Sequence, residues 1–179
     1  MVRSLQGIRF FDRDWSRPHP SAKCRLHPLK VGIALYLDDE IDRLSSAVAR
    51  IGDRLESFFA NRRYGDDVQS LFIGLILTGH GSERLHPIRP LKYRRHYTLK
   101  IRELKQETYL GNVVEFDIKP DYSAVQSLNN EDAERYISKA LIDGLSVLVA
   151  HHNKFPNFKV EDFGKDFSAC LNASDGASH

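Results

Sequence analysis

Residues Tyr93 to Ile118 read YRRHYTLKIRELKQETYLGNVVEFDI, and two strands of opposed chemistry can be traced in them. Over 93–103 the odd positions Tyr93, Arg95, Tyr97, Leu99, Ile101 and Glu103 point one way, and Arg94, Thr98, Lys100 and Arg102 the other. Over 109–118 Val114, Phe116 and Ile118 share one face, while Val113, Glu115 and Asp117 take the opposite one. Alternation with period two is the geometry of a β-strand. One apolar and one charged face marks an antiparallel pair half exposed to water. Lys100 or Arg102 facing Glu115 or Asp117 across that pair adds a few tenths of a kcal/mol.

Upstream of this hairpin, Lys30 to Leu37 alternates Val31, Ile33, Leu35 and Leu37 with Gly32, Ala34 and Tyr36. Both faces are uncharged, which predicts a central strand. Asp38 to Arg62 carries Ile41, Leu44, Val48, Ile51, Leu55, Phe58 and Phe59 at three-and-four spacing, the stripe of an amphipathic helix. Asp38 or Asp39 is placed to cap it, and Asp39, Glu40 and Asp42 sit at the positive end of its dipole. Val68 to Thr78 is a short, β-branched and apolar run that predicts a buried strand, followed by a loop to Pro90. Nearer the start, Leu5 to Phe11 reads as a further short strand, and 16–29, with Pro18, Pro20 and Pro28, as a surface loop.

Downstream, Pro120 ends the hairpin and Asn129 or Asn130 caps a second long helix, Glu131 to His152. Its stripe is Ala133, Tyr136, Ile137, Ala140, Leu141, Leu145, Leu148 and Val149. A short helix, Glu161 to Leu171, buries Phe163, Phe167, Cys170 and Leu171. The expected fold is therefore α+β in two layers: a mainly antiparallel sheet of four to five strands, two long amphipathic helices and a short C-terminal one. It is expected as a single domain over 1–172, with a frayed tail at 173–179.

Composition sets bounds on function. The 179 residues are 41% hydrophobic and 28% charged, and their net charge is +2. Wholesale coating of nucleic acid is disfavoured by so even a balance, and global disorder by so much apolar content. The longest apolar run, Leu71 to Leu77, is far short of the roughly 20 residues that span a bilayer. No secretory leader is read in the first residues, so a cytoplasmic chain is expected. Cys24 and Cys170 belong to no metal or redox motif and read as free thiols.

Few residues suggest catalysis. Thr78-Gly79-His80-Gly81-Ser82 lacks the spacing of a nucleophile elbow or phosphate loop and reads as a turn. His80, His86 and the pair His151-His152 lack zinc-ligand spacing; the pair suits a helix C-terminus. Cys24 beside His27 has nothing to activate a thiolate. Glu115 and Asp117 share a face two residues apart, as a metal-dependent hydrolase arranges its carboxylates, but no Glu-x-Lys completes a nuclease pattern. No catalytic residue, cofactor or metal site is therefore assigned. The basic run Arg84 to Lys105 interleaves aromatics with cations, so Lys92, Tyr93, Arg94, Arg95, Lys100 and Arg102 form the alternative, a nucleic-acid-binding face. A solvated strand face explains the same residues.

Four segments carry a resemblance. They are Arg89-Pro90-Leu91-Lys92-Tyr93-Arg94-Arg95 closing a loop, VVEFDIKPDY over 113–122, the acidic helix start Asn129 to Glu134, and FKVEDFGKDF over 158–167. Together they resemble the immunity proteins of bacterial polymorphic toxin systems, and among these the immunity protein 44 family. The resemblance implies a small cytoplasmic antidote that covers the C-terminal domain of a cognate toxin in a stoichiometric complex and transforms no substrate. Against a nuclease toxin with a basic active site, the docking surface it implies is acidic: Asp38, Asp39, Glu40, Asp66 and Asp67, with helix capping as the competing role of the first three.

Overall fold

The computed structural model describes residues 28–37, 42–79, 84–101 and 104–173. The expected strand at 5–11, most of the proline-rich loop, Cys24, Asp38, Asp39, Glu40, His80, Arg102 and the tail beyond Ala173 lie outside the described residues. In chain order the elements are β1 (Lys30–Leu37), α1 (Asp42–Phe59), β2 (Ser70–Leu77), β3 (Lys92–Ile101), β4 (Gln106–Ile118), α2 (Tyr122–Gln126), α3 (Asn130–Gly144), α4 (Ser146–Ala150), a 3-10 turn (His152–Lys154) and α5 (Val160–Asn172).

Among the described residues the strands form one four-stranded sheet in the order β1-β2-β4-β3. The α+β expectation holds, but the sheet is mixed and not mainly antiparallel. β1 pairs parallel with β2 and β2 parallel with β4, while β3 alone runs antiparallel, against β4. The reason lies in the connections. A helix between two neighbouring strands carries the chain back to the end where it started, so β1-α1-β2 closes as a parallel unit. β1 is also an edge strand and not a central one. Only Val31 of it is buried and the other seven residues are half-buried; the hydrogen-bonding edges lie in the plane of the sheet and leave no mark on side-chain polarity.

Register sorts the strand residues into two faces. Val31, Leu71 and Val114 align in one row, and Ile33, Ile73 and Phe116 in the next. These rows join Leu44, Val48, Ile51, Leu55 and Phe59 of α1, Ala133, Ile137 and Leu141 of α3, and Phe163 and Phe167 of α5 in one buried core. α1, α3 and α5 pack on one another over this face. The aromatic rings of Phe59, Tyr64, Phe158, Phe163 and Phe167 meet centroid to centroid at 5.3–6.3 Å, joining the end of α1 to α5.

The long helix expected over 131–152 is broken. α3 stops at Gly144, where any Cβ would press on Ile118 of β4, and α4 restarts at Ser146. The reset in phase keeps Leu145 and Leu148 buried but turns Val149, expected on the stripe, out to solvent. Asn129 caps α3 as its type predicts, its Oδ1 accepting from the Asp132 N–H at 2.9 Å. α2, not foreseen, is a single turn started by the Asp121 carboxylate accepting from the Ser123 N–H at 2.9 Å. Among the described residues no helix is long and apolar enough to cross a membrane.

Candidate functional site

The face of the sheet away from the helices carries the chemistry. β2 and β4 finish at the same end, and β3 begins there, with Lys92 opposite Glu115. The connection from β2 to β3 must therefore pass over the end of β4. Its described part, 84–91, forms a strap, and one ion pair holds it down.

Asp117, next to last in β4, is buried, with 3% of its side chain exposed. It accepts from Arg89 three times: from Nε at 2.8 Å, from Nη2 at 3.1 Å and from the backbone N–H at 2.8 Å. The Asp117 N–H donates back to the Arg89 carbonyl at 3.2 Å. Arg89 Nη2 also donates to the Tyr36 hydroxyl at 2.7 Å, and its guanidinium lies 5.3 Å from the centre of the Tyr36 ring. The hydrogen bonds from Asp117, with a smaller part from Tyr36, hold the Arg89 guanidinium above its ordinary pKa against the opposing effect of burial. Opposite Asp117 in β2 stands Gly74, where a Cβ would overlap the carboxylate. Pro87 and Pro90 flank Arg89 closely and restrict the backbone around it. Between strap and sheet is an open cleft of about 320 Å³, lined by Tyr36, Ile76 and Asp117 of the sheet and Leu85, His86, Pro87 and Arg89 of the strap. The Tyr36 and His86 ring centres lie 6.1 Å apart, with the planes tilted by 47°.

Sequence reasoning placed Glu115 and Asp117 on one face, and the structure agrees, but an arginine engages each of them. Arg94 Nη2 donates to Glu115 at 2.6 Å, as Arg89 does to Asp117. Among the described residues no group of three or more His, Cys, Asp or Glu is arranged to hold a metal ion. Arg89, Tyr36 and Gly74 were not picked out from the sequence. The legible signal was a carboxylate at an otherwise buried strand position, which demands a partner.

The basic set is distributed along β3. Arg94 lies 4.6 Å over the Tyr97 ring and Arg95 5.7 Å over the Tyr93 ring. Lys100 pairs with Glu107 at 2.7 Å, and Lys92 is exposed. Tyr93 turns inward: its hydroxyl donates to the Asp67 carbonyl at 2.8 Å and its ring meets Phe155 at 5.9 Å. Burial, then Asp67, raises its pKa. The alternation expected over 93–103 is interrupted by a bulge, where Arg95 and His96 oppose Asn112 alone. His96 takes φ 51°, its N–H donates to Asn112 Oδ1 at 3.1 Å, and Gly111 at φ 73° receives the Gln69 amide where a Cβ would stand. Beyond the bulge the two strands continue past the start of β2 as a ribbon.

Of the acidic set, Asp66 is exposed, whereas Asp67 accepts from the Asn157 N–H at 2.7 Å and ties down the turn before α5. Both precede Ser70, which pairs with Lys30 at the start of β1. His151 and His152 set their Nδ1 atoms against the carbonyls of Val147 at 2.8 Å and Val149 at 2.9 Å, at a helix end as expected.

The family model described as immunity protein 44 matches residues 29–173, most of the chain and all of the sheet and helices above. No curated protein and no solved structure matches.

Proposed function

This chain belongs to the immunity protein 44 family, and from that premise we propose that it neutralises a bacterial toxin by binding the toxin's C-terminal domain in a stoichiometric complex. The family match over residues 29–173 is the observation that carries this reading. The ionisable groups favour it. Arg89 pairs with Asp117, Arg94 with Glu115, Arg50 with Glu134 and Arg62 with Asp166. Carboxylates held by arginine are poor general bases but good fixed features of a docking surface, where they set partner choice. In this reading the protein works without turnover, in the cytoplasm, by occupying the toxin's surface.

The nucleic-acid alternative requires free cations and open ring faces. Arg94 and Lys100 are already paired, and arginines cover one face each of Tyr93 and Tyr97. That arrangement suits an edge strand, which cations and a bulge protect from pairing with other chains.

The test is co-expression with the toxin domain encoded beside this chain. Protection of the host and a one-to-one complex on purification are expected. A toxin that kills in the presence of this chain and fails to co-purify with it refutes the reading.

A further inference from the structure

We propose that the strap Arg84–Leu91 is where the toxin docks, and that it receives an apolar patch of the toxin rimmed by carboxylates; this rests on the reading above. Leu85 is 76% exposed and Ile88 55% exposed, two large aliphatic side chains on one short loop. Scattered apolar residues on a surface are ordinary; here Leu85 also lines the open cleft, and Ile88 follows it by three residues on the same strap. The cleft of about 320 Å³ next to Leu85 has room for a partner side chain. The bonds to Asp117 and Tyr36 use Nε and Nη2 of Arg89, so Nη1 is not spent on them and can meet a carboxylate in the cleft.

The chemistry of the partner follows from charge. Residues 84–119 hold nine Lys and Arg against four Asp and Glu, whereas the rest of the chain holds 17 against 20; Arg89, Arg94 and Lys100 are paired within that stretch, and Arg84, Lys92 and Arg95 are the exposed cations at and just past the strap. The strap opens the basic part, with Arg84 and Arg89 beside the two aliphatic anchors. A complementary surface is acidic around an apolar centre. The strap is also preorganised: the Arg89–Asp117 pair, Pro87, Pro90 and the buried Leu91 fix it before binding, so little ordering remains to be done on association.

The test uses the full chain and the same toxin domain, with affinity measured by calorimetry. Leu85→Asp and Ile88→Asp place a charge where an apolar, carboxylate-rimmed patch would land, and each is expected to weaken binding by about 30-fold or more. Both side chains are exposed, so the melting temperature stays that of the wild type, which verifies folding. Val149→Asp, on the helical layer, and Asp66→Lys, in the acidic set, are expected to bind as the wild type does. Strap variants that bind within about threefold of wild type overturn this docking site and leave the proposed function standing. So does a loss carried by Asp66→Lys or Val149→Asp. A wild-type chain that does not bind the toxin overturns both. Salt-sensitive binding of duplex DNA that is lost in the two strap variants reassigns the surface to nucleic acid and also overturns the proposal.

Discussion

Removing Arg89 should cost more than removing Asp117, although each deletion breaks the same pair. The asymmetry comes from burial: 47% of the Arg89 side chain is exposed, against 3% for Asp117. Arg89→Ala leaves a largely buried carboxylate at the edge of the cleft with only the backbone N–H of residue 89 still donating to it. A buried charge stripped of its partner costs about 3–5 kcal/mol, and the retained donor places the loss near about 3 kcal/mol. Asp117→Ala leaves a guanidinium that reaches water and keeps the Tyr36 hydroxyl, so only the net value of charge-assisted bonds is lost, about 1.5 kcal/mol. The double variant has no orphaned charge and should match Asp117→Ala, which makes the coupling energy about 3 kcal/mol. For a chain of this size Arg89→Ala then lowers the melting temperature by about 6–12 °C. Urea and thermal unfolding followed by circular dichroism on the three variants give the full cycle. If Asp117→Ala is at least as costly as Arg89→Ala, or if the coupling is below about 1 kcal/mol, the pair is not what fastens the strap.

Three other outcomes are expected. Gly74→Ala drives a methyl into the Asp117 carboxylate on a strand paired on both sides, so it should cost about 1–3 kcal/mol, and less in an Asp117→Ala background, as urea unfolding will report. Tyr64 donates to Asp166 at 2.5 Å, and burial, then Asp166, raises its pKa above the ordinary 10.0. Its raised folded pKa makes that contribution complete below pH 10 and lost as pH climbs beyond it; Tyr64→Phe should lose about 1–2 kcal/mol at neutral pH and flatten the alkaline fall in stability. Burial also raises the Cys170 thiol, which is free and enclosed, so in a Cys24→Ser background a colorimetric thiol reagent should reach it only at the rate of unfolding; rapid labelling of that variant in native buffer would contradict the packing of α5.

The helices were legible because an amphipathic stripe repeats over many residues, and Leu44 to Phe59 fall where the spacing puts them. The β3–β4 hairpin was legible from its alternating charge. Sheet order was not, because side-chain patterns record which face is covered and not which strand lies beside it. The break at Gly144 depends on contact with Ile118, about 26 positions earlier, and no local rule carries that information. The strap was half visible. Two prolines and two glycines announced a loop, but only the buried register of Asp117 beside Gly74 shows why Arg89 is needed there.

That register also explains why a mixed sheet suits a binding scaffold. β4 slots between β2 and β3, so the chain leaving β2 has to cross the end of β4 to reach the far edge. Of the described crossing only its last residue, Leu91, joins the core that the helices cover. The rest of 84–91 lies over the sheet, and a long crossing without an anchor would be mobile. One arginine, bonded twice through its side chain and twice through its backbone to a single residue of β4, holds the described part of the crossing, 84–91, to the sheet as a ridge. The topology thus produces a loop that is exposed and yet held, the combination a preformed docking surface requires. It follows that Arg89→Ala should weaken toxin binding chiefly by loosening the ridge, whereas Ile88→Asp should weaken it with the ridge intact. Amide hydrogen exchange across 84–91 separates the two: faster in the first variant and unchanged in the second.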